Sequence, residues 1–373
     1  MAGLILAWLL EKCRYDCGGL SRPDSVIPTE NLMKLTKKKL IIFAISLLLS
    51  ISIWFGFKFW SSLNAPLVAE GNSQVTFIFA QGTSVKKVAY YLGQQKLLKY
   101  PLFFVLYVRL SGVEYDLKAG EYVIEPGLTP RKLIQKMVKG EALNHTVTIV
   151  EGWTFNQIVT ALNNNQYVTH TIQNLSPPEI MEKIGHSGEF PEGRFAPDTY
   201  VFSGNITDIA ILINAYQLMQ KQLQKAWDNR AKNLLYHCPL EALIAASIIE
   251  KETASLEEKP VIADIILRRI EKGMLLQVDP TVIYGLGQKF SGKLTRADLS
   301  KDTPYNTYIH KGLPPTPIAM PGKDSINAAL HPIAGTSWYY VSKGDGTHKF
   351  SESLKEQSKA IKKYLTGVSS RAK

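Results

Sequence analysis

Cysteine and histidine are scarce in this sequence, which limits the chemistry open to it. Its 373 residues include three cysteines and seven histidines. Cys13 and Cys17 lie near the N-terminus, four positions apart with no histidine nearby, so they make a poor metal site. Cys238 is then the only cysteine in the main body, where no disulfide can form.

Several common catalytic motifs are also missing. No pair of histidines has the spacing of metal ligands, and the sequence contains neither a GxSxG motif nor a phosphate-binding glycine loop. We therefore expect no metal and no cofactor. Carboxylate chemistry is the main enzymatic option that remains.

Charge is absent from one long stretch, residues 40–57, which reads LIIFAISLLLSISIWFGF. With its flanking aromatic residues it reaches the roughly 20 residues that a helix needs to cross a bilayer. We predict a transmembrane anchor over residues 40–60. A cleaved signal peptide is the alternative, but its apolar region would be shorter, and the following SSLNAPL is a poor cleavage site.

Lysines flank this stretch unequally. Lys34, Lys37, Lys38 and Lys39 precede it, whereas only Lys58 follows closely. The positive-inside rule then predicts that residues 1–39 are cytoplasmic and that the body lies outside. Met33, followed by lysine-rich sequence, is the more natural start, which makes residues 1–32 a candidate mis-called extension.

The overall charge is basic, with 43 lysines and arginines against 32 acidic residues and a net charge of +11. Such a charge suits an anionic partner: nucleic acid, a membrane surface or an acidic polymer. Because we place the body outside the membrane, nucleic acid is the weakest of these and we expect none to bind.

A degenerate repeat follows the apolar stretch. Three segments each read as a strand, a turn and a helix, and in each a glycine precedes a helix-capping hydroxyl by two positions. The glycines are Gly82, Gly127 and Gly152, and the hydroxyl residues are Ser84, Thr129 and Thr154. Their spacings of 45 and 25 residues are too uneven for a solenoid. We predict a small α+β module over residues 70–165.

The chain then changes character. Residues 164–206 are rich in Asn, Pro and Gly and lead into a strand. We predict helices at about 207–233, from Leu240, and at about 257–272 with Gly273 as the stop. Alternation in SWYYVSKGDGTHKF predicts a hairpin that turns at Gly-Asp-Gly. The fold class is therefore α+β, with a mixed helical second domain and long loops over residues 166–366.

Two glutamates stand at the end of an apolar helix, in AASIIEKETASLEEK. Glu250 and Glu252 are two positions apart, so they point roughly 200° apart on a helix. Glu252 lies over Ile248 and Ile249, the more apolar stripe. Burial and the negative end of the helix dipole would raise the pKa of its carboxyl toward that of a general acid. The alternative is that both glutamates are solvated residues at a helix end.

The loops hold a second group of candidates, polar and aromatic side chains of the kind that bind sugars. For Asp279 we favour capping of the helix that starts at Pro280 over sugar contact, whereas for Gln277 and Asn306 we favour direct contact. The full set is Asp198, Tyr200, Gln277, Asp279, Tyr305, Asn306 and Tyr308.

These motifs resemble those of the YceG-like family, the endolytic murein transglycosylases called MltG. The resemblance covers roughly residues 70–366 and rests on ASIIEKETA, LRRIEKGMLLQVDPTVIYGLG, GKLTRADL, PYNTYIHKGLPPTPIAMPG and HPI. It implies one N-terminal transmembrane helix, a lysin-motif-like module before the catalytic domain, and catalysis by the second glutamate of EKE, which is Glu252 here.

The resemblance predicts a lytic transglycosylase anchored in the inner membrane, with its catalytic body in the periplasm. It would cut nascent peptidoglycan strands between N-acetylmuramic acid and N-acetylglucosamine and leave 1,6-anhydro ends. Peptidoglycan synthases are candidate partners. The alternative is a non-catalytic peptidoglycan-binding scaffold of the synthesis machinery, in which case Glu252 would be used in a salt bridge and would not face an open polar cleft.

Overall fold

The computed structural model describes residues 29–80 and 82–366. Cys13, Cys17 and most of the predicted N-terminal extension therefore lie outside the described residues. The chain divides after Ala65 into two units. The first holds helix α1, Thr29–Asn64. Its Lys38–Asn64 part contains an 18-residue stretch with a mean hydropathy of 2.5 and is long and apolar enough to cross a membrane, judged by length and composition.

The second unit begins with the three predicted strand-turn-helix segments. Each glycine has a positive φ, and the hydroxyls of Ser84 and Thr129 accept hydrogen bonds from the backbone N–H three residues later. Thr154 forms a capping box with Gln157. An additional helix lies between the first two segments, which explains their wider spacing. The elements are β1 Val75–Phe79, α2 Val85–Gln94, α3 Pro101–Leu110, β2 Gly120–Ile124, α4 Pro130–Lys139, β3 Asn144–Ile149 and α5 Phe155–Asn163.

β1 and β2 pair antiparallel, with Val75 opposite Ile124 and Phe79 opposite Gly120. One face of this pair is apolar, and α2, α3 and α4 cover it. The core they form is closed to solvent because each helix contributes an apolar stripe. Its fully buried side chains include Leu92, Phe104, Tyr122, Leu133 and Met137.

The next region joins residues from both sides of position 165. β3 pairs antiparallel with β5, from Asn144 opposite Ser203 to Ile149 opposite Asp198, and the short strands β4 and β6 pair in parallel. A second core forms beneath them. The boundary between residues 165 and 166 stays a prediction. The elements here are β4 Val168–Thr169, α6 Pro177–Lys183, β5 Asp198–Ser203 and β6 Ile206–Thr207.

The remaining elements are mainly helical, and the predicted hairpin is present. Helix α8 lies at the centre of the largest core, and residues 242–249 are all buried because the helix is apolar on every side. It contacts α7, α9, α10 and α12. The elements are α7 Asp208–Asp228, α8 Pro239–Glu252, α9 Lys259–Glu271, α10 Asp279–Leu286, α11 Arg296–Leu299, α12 Lys323–Leu330, β7 Tyr339–Ser342, β8 His348–Ser351 and α13 Leu354–Ile361. The mixed α+β class is confirmed.

Candidate functional site

The site is built around the C-terminal end of α8. Glu252 is the last helical residue, and Thr253 leaves the helix in an extended conformation. Ile248 and Ile249 lie fully buried one turn earlier. The helix therefore places the Glu252 carboxyl where the apolar core meets the start of a loop.

Glu250 is neither solvated nor free. Its carboxylate accepts hydrogen bonds from the backbone N–H of Gly322 at 3.0 Å and from the Ser325 hydroxyl at 2.5 Å, and the Lys259 ammonium lies 3.3 Å away. The Glu250 side chain is 8% exposed and that of Lys259 is 4% exposed. The interpretation of Glu250 as a solvated residue at a helix end is therefore wrong. It is one half of a buried ion pair that ties α8 to α9 and α12.

Glu252 has different surroundings and forms no ion pair within the described part of the chain. It is half-buried at the edge of the core. Burial raises the pKa of its carboxyl to about 7, and the negative charge of Asp279 adds to the rise. The Tyr340 hydroxyl, as a hydrogen-bond donor, and the Arg269 charge oppose the rise. A carboxyl with this pKa is protonated in a large fraction of molecules at neutral pH, as a general acid requires.

Two loop segments hold Asp279 close to Glu252. The backbone N–H of Gln277 donates to the Thr307 carbonyl at 3.0 Å, and the Val278 N–H donates to the Thr307 hydroxyl at 3.0 Å. These bonds place Tyr308 over the start of α10, where its hydroxyl donates to the Asp279 carboxylate at 2.5 Å. The predicted candidates Asp279 and Tyr308 thus come together beside Glu252.

Asp279 does not cap α10. The N-cap position is Val278, which offers no side-chain bond, and Asp279 is the first helical residue. The capping interpretation is therefore wrong, because the carboxylate is turned toward Tyr308. The interpretation as a substrate contact stays a prediction, and the exposure of Asp279 allows it.

The β7–β8 hairpin closes another side of the site. The buried guanidinium of Arg269 donates to the Trp338 carbonyl at 2.7 and 2.9 Å and to the Leu276 carbonyl at 2.6 Å. Glu258 accepts bonds from the His348 N–H and ring, each at 2.8 Å. Arg269 and Glu258 thereby fix the hairpin against α9, and Tyr340 on β7 reaches Glu252.

Three other predicted residues occupy the same loops in different ways. Gln277 is exposed and has a φ of 54°, an uncommon conformation for a residue with a side chain. Asn306 is fully buried, and its amide donates to two loop carbonyls while its oxygen accepts from the Tyr308 N–H. Asn306 therefore shapes the loop that presents Tyr308. The Tyr305 hydroxyl bonds to Thr316 at 2.9 Å.

Asp198 and Tyr200 lie on β5, where their hydrogen bonds remain local. The Tyr200 hydroxyl donates to the Ala196 carbonyl at 2.6 Å, and the Asp198 carboxylate accepts from the next backbone N–H. Asp198 is exposed, and Tyr200 is half-buried. Their role in binding stays a prediction.

Glu192 was not among the residues predicted from the sequence. Its carboxylate is buried, accepting a bond from the Phe155 N–H and one from the Tyr284 hydroxyl, both at 3.0 Å. Burial raises the pKa of this carboxyl to about 7. Tyr284 packs edge-to-face on Tyr305, with ring centroids 4.8 Å apart. Only the isolated acid in PEGRF, between a proline and a glycine, could have drawn attention to it.

Metal chemistry has no ligand set to support it in residues 29–80 and 82–366, since no group of three or more His, Cys, Asp or Glu side chains there could hold an ion. The site instead combines the Glu252 carboxyl, whose pKa is raised, with the Asp279 carboxylate and the hydroxyls of Tyr308 and Tyr340. This set defines a carboxylate-dependent site of the kind that acts on glycosidic bonds.

Comparison with known proteins agrees with that class. Residues 77–363 match the YceG-like family, and the chain belongs to it. A Bacillus subtilis (strain 168) protein named endolytic murein transglycosylase is 29% identical over 331 residues, which cover 83% of this chain and 90% of that protein. A Streptococcus pneumoniae serotype 2 protein of the same name is 26% identical over 329 residues, covering 79% of this chain and 59% of that protein. A crystal structure of a yceG-like protein from Listeria monocytogenes has a TM-score of 0.49 and 28% identity, covering 78% of this chain and 99% of that chain.

Proposed function

We propose that the protein is an endolytic murein transglycosylase. It cuts nascent peptidoglycan strands between N-acetylmuramic acid and N-acetylglucosamine and leaves 1,6-anhydro ends. Family membership and the names of the two curated relatives support the activity. The observation in the structure that supports it best is Glu252, a carboxyl at the edge of the core with a pKa near 7 and no ion-pair partner among the described residues.

In this mechanism Glu252 performs both proton transfers. The neutral carboxyl protonates the glycosidic oxygen, the C1–O bond breaks, and positive charge develops on the muramic ring. The resulting Glu252 carboxylate then removes the proton from the C6 hydroxyl of the same sugar, whose oxygen bonds to C1. The carboxyl regains its proton, and no water is consumed. One catalytic carboxylate is therefore sufficient.

The neighbouring groups set the proton affinity of Glu252. Asp279 raises the pKa, which keeps the acid protonated before the bond breaks, whereas Tyr340 stabilises the carboxylate that forms afterwards. The Tyr308 hydroxyl holds the Asp279 carboxylate in place. We assign Gln277, Asp279 and Tyr308 to substrate binding beside the acid, and Asn306 to positioning of Tyr308. Tyr305, Asp198 and Tyr200 are proposed as more distant sugar contacts.

The remaining assignments concern location and organisation. We propose that α1 anchors the protein in the inner membrane with residues 1–39 in the cytoplasm and the catalytic body in the periplasm. Its exposed apolar surface and the preceding lysines support this arrangement. We further propose a lysin-motif-like module over residues 70–165, a catalytic domain over 166–366, and peptidoglycan synthases as partners.

Isotope labelling of the products tests the reaction. The full-length protein in detergent is incubated with purified glycan strands in H2¹⁸O, and the products are analysed by mass spectrometry. Intramolecular attack gives anhydro ends without ¹⁸O. Reducing ends that carry ¹⁸O would instead identify a hydrolase, and binding without any product would favour the non-catalytic scaffold.

A further inference from the structure

A groove between α7 and α12 is separate from the Glu252 site. It has a volume of about 500 Å³. Leu218, Ala226 and Ile326 give it an apolar floor, and Lys221, Lys225 and Lys323 line its sides. A groove with this lining can take a ligand that has both a small apolar part and negative charge.

The three lysines are exposed and form no ion pair within residues 29–80 and 82–366. No carboxylate belongs to the lining. Asp324 follows Lys323 in the chain but lies outside that lining. Glu151 interacts with the Lys323 charge, but no carboxylate lines the groove beside Lys221 and Lys225, so the groove keeps a net positive charge that attracts an anionic ligand.

Two polar side chains of the groove differ in whether the protein satisfies their nitrogen atoms. The amide nitrogen of Gln222 is buried without a hydrogen-bond partner, although a buried donor normally has one. The two ring nitrogens of His331 face the carbonyl oxygens of Asn229 at 2.9 Å and Asn327 at 3.2 Å. Carbonyl oxygens only accept, so a ring N–H of His331 donates to the protein itself, and the Gln222 amide remains the free donor of the groove.

The groove begins close to the proposed catalytic end of α8. Lys323 is the first residue of α12 and follows Gly322, whose N–H donates to Glu250. Glu250 in turn is two residues before Glu252. Glu250 and Glu252 point to opposite sides of α8, so a side branch of a polymer held at Glu252 has to pass round the end of this helix to enter the groove.

We propose that the α7/α12 groove binds a short acidic peptide, namely the peptide branch of the glycan substrate. This inference rests on the proposed function, because it takes the substrate to be a glycan bearing peptides. The carboxylates of the branch pair with Lys221, Lys225 and Lys323, and its small apolar side chains lie on the floor. A backbone carbonyl of the branch accepts from the Gln222 amide.

The first test compares peptide-bearing strands with the same strands stripped of peptide by an amidase. The variant is K221Q/K225Q/K323Q in the full-length protein, and the matched control K86Q/K355Q/K359Q removes three exposed lysines elsewhere. We expect the groove variant to raise KM for peptide-bearing strands about tenfold, since each exposed charge contributes modestly. The ratio of kcat/KM for peptide-bearing strands to kcat/KM for stripped strands should fall toward one in the groove variant. The control variant should keep the wild-type ratio. An unchanged preference, or an equal loss on both substrates, would overturn the proposal.

The second test measures binding without turnover. The probes are a fluorescent alanine-containing tetrapeptide with two free carboxylates, its amidated neutral counterpart, and a short-chain anionic phospholipid. We expect the acidic peptide alone to bind in a manner that depends on the lysines and weakens with salt. Lysine-dependent binding of the phospholipid but not of the peptide would show that the groove recognises a membrane instead. Peptide binding by a protein that releases no anhydro product would support the groove and refute the proposed function.

Discussion

Two glutamates at the C-terminal end of α8, Glu250 and Glu252, point to different sides of the helix and have different partners. Glu250 has a lysine, a backbone N–H and a hydroxyl directed at its carboxylate. Glu252 has a second carboxylate nearby and sits at the edge of the apolar core. Two positions along the helix therefore separate a carboxylate with an ion-pair partner and two hydrogen-bond donors from a carboxyl whose pKa is raised to about 7 by burial.

This difference shows that burial alone does not make a catalytic acid. Glu250 is also buried, but a lysine, a backbone N–H and a hydroxyl are directed at its carboxylate. Glu252 has the Tyr340 hydroxyl as a donor but no ion-pair partner among the described residues, and burial disfavours its charged form. The surroundings of each carboxyl, and not the motif EKE alone, support the proposed chemical role of Glu252 and a structural role for Glu250.

The largest effect should come from Glu252→Gln. The amide keeps the shape of the side chain but cannot donate a proton in the same way, so release of anhydro products should fall at least about a hundredfold. The measurement is the initial rate of anhydro-muropeptide release by the full-length protein, with thermal unfolding as a check on folding. A variant that releases product at the wild-type rate would remove Glu252 from the mechanism.

Glu250→Gln tests the role of the buried ion pair between Glu250 and Lys259. It leaves the Lys259 ammonium buried without its counter-ion, which should lower the free energy of unfolding by about 3 kcal/mol. The double variant Glu250→Leu, Lys259→Met removes both charges and should recover much of that loss. Urea unfolding of both variants measures this. Activity per folded molecule should remain closer to wild type in Glu250→Gln than in Glu252→Gln, and the reverse order would transfer the catalytic role to Glu250.

The stability of Glu252→Gln relative to wild type should depend on pH. The folded-state pKa of Glu252 is about 7, whereas the ordinary value is 4.5. Below pH 4.5 both folded and unfolded wild type hold the proton, so the variant gains nothing. Between pH 4.5 and 7 only the unfolded wild-type protein loses the Glu252 proton, so the free energy of unfolding of the wild type falls. Above pH 7 the variant should be more stable by at most about 3 kcal/mol.

Unfolding free energies measured at pH 4, 6 and 8 check this dependence. Glu192 also has a raised pKa, but it is present in both proteins and its contribution cancels from the difference. An advantage of the variant that is the same at all three pH values would contradict the raised pKa of Glu252.

The smallest effects should be two opposite shifts of the pH–rate profile. Asp279→Asn removes a negative charge and lowers the pKa of Glu252, so the basic limb should move down by about one pH unit or less. Tyr340→Phe removes a donor to the carboxylate and should move the same limb up. Profiles of kcat/KM from pH 5 to 9 measure both. Shifts in the same direction would show that these neighbours do not act on Glu252 through its charge.

Local patterns predicted much of the fold because they depend on residues close in sequence. The capping hydroxyls Ser84, Thr129 and Thr154, the end of α8 at Glu252, and the hairpin are all features of this kind. The extra helix α3 was not predicted, although its position accounts for the uneven repeat.

The site was less predictable because its partners are distant in the chain. Glu250 meets Ser325 across 75 residues, and Glu192 meets Tyr284 across 92. No local pattern indicates such pairs. Asp279 was assigned to capping for the same reason, since its actual partner Tyr308 lies 29 residues further on. The apolar stripe under Glu252 was local, so its raised pKa could be anticipated.

The hairpin that closes the site has a consequence for the timing of activity during synthesis. Arg269 precedes its partner Trp338 by 69 residues in the chain, and Glu258 precedes its partner His348 by 90. Until those residues emerge from the ribosome, the hairpin cannot form and one wall beside Glu252 is open to water, which weakens the burial that raises the pKa of its carboxyl. A growing chain can thus fold its earlier core before the proposed site is enclosed. The surroundings proposed for the acid are completed only when synthesis has passed the hairpin.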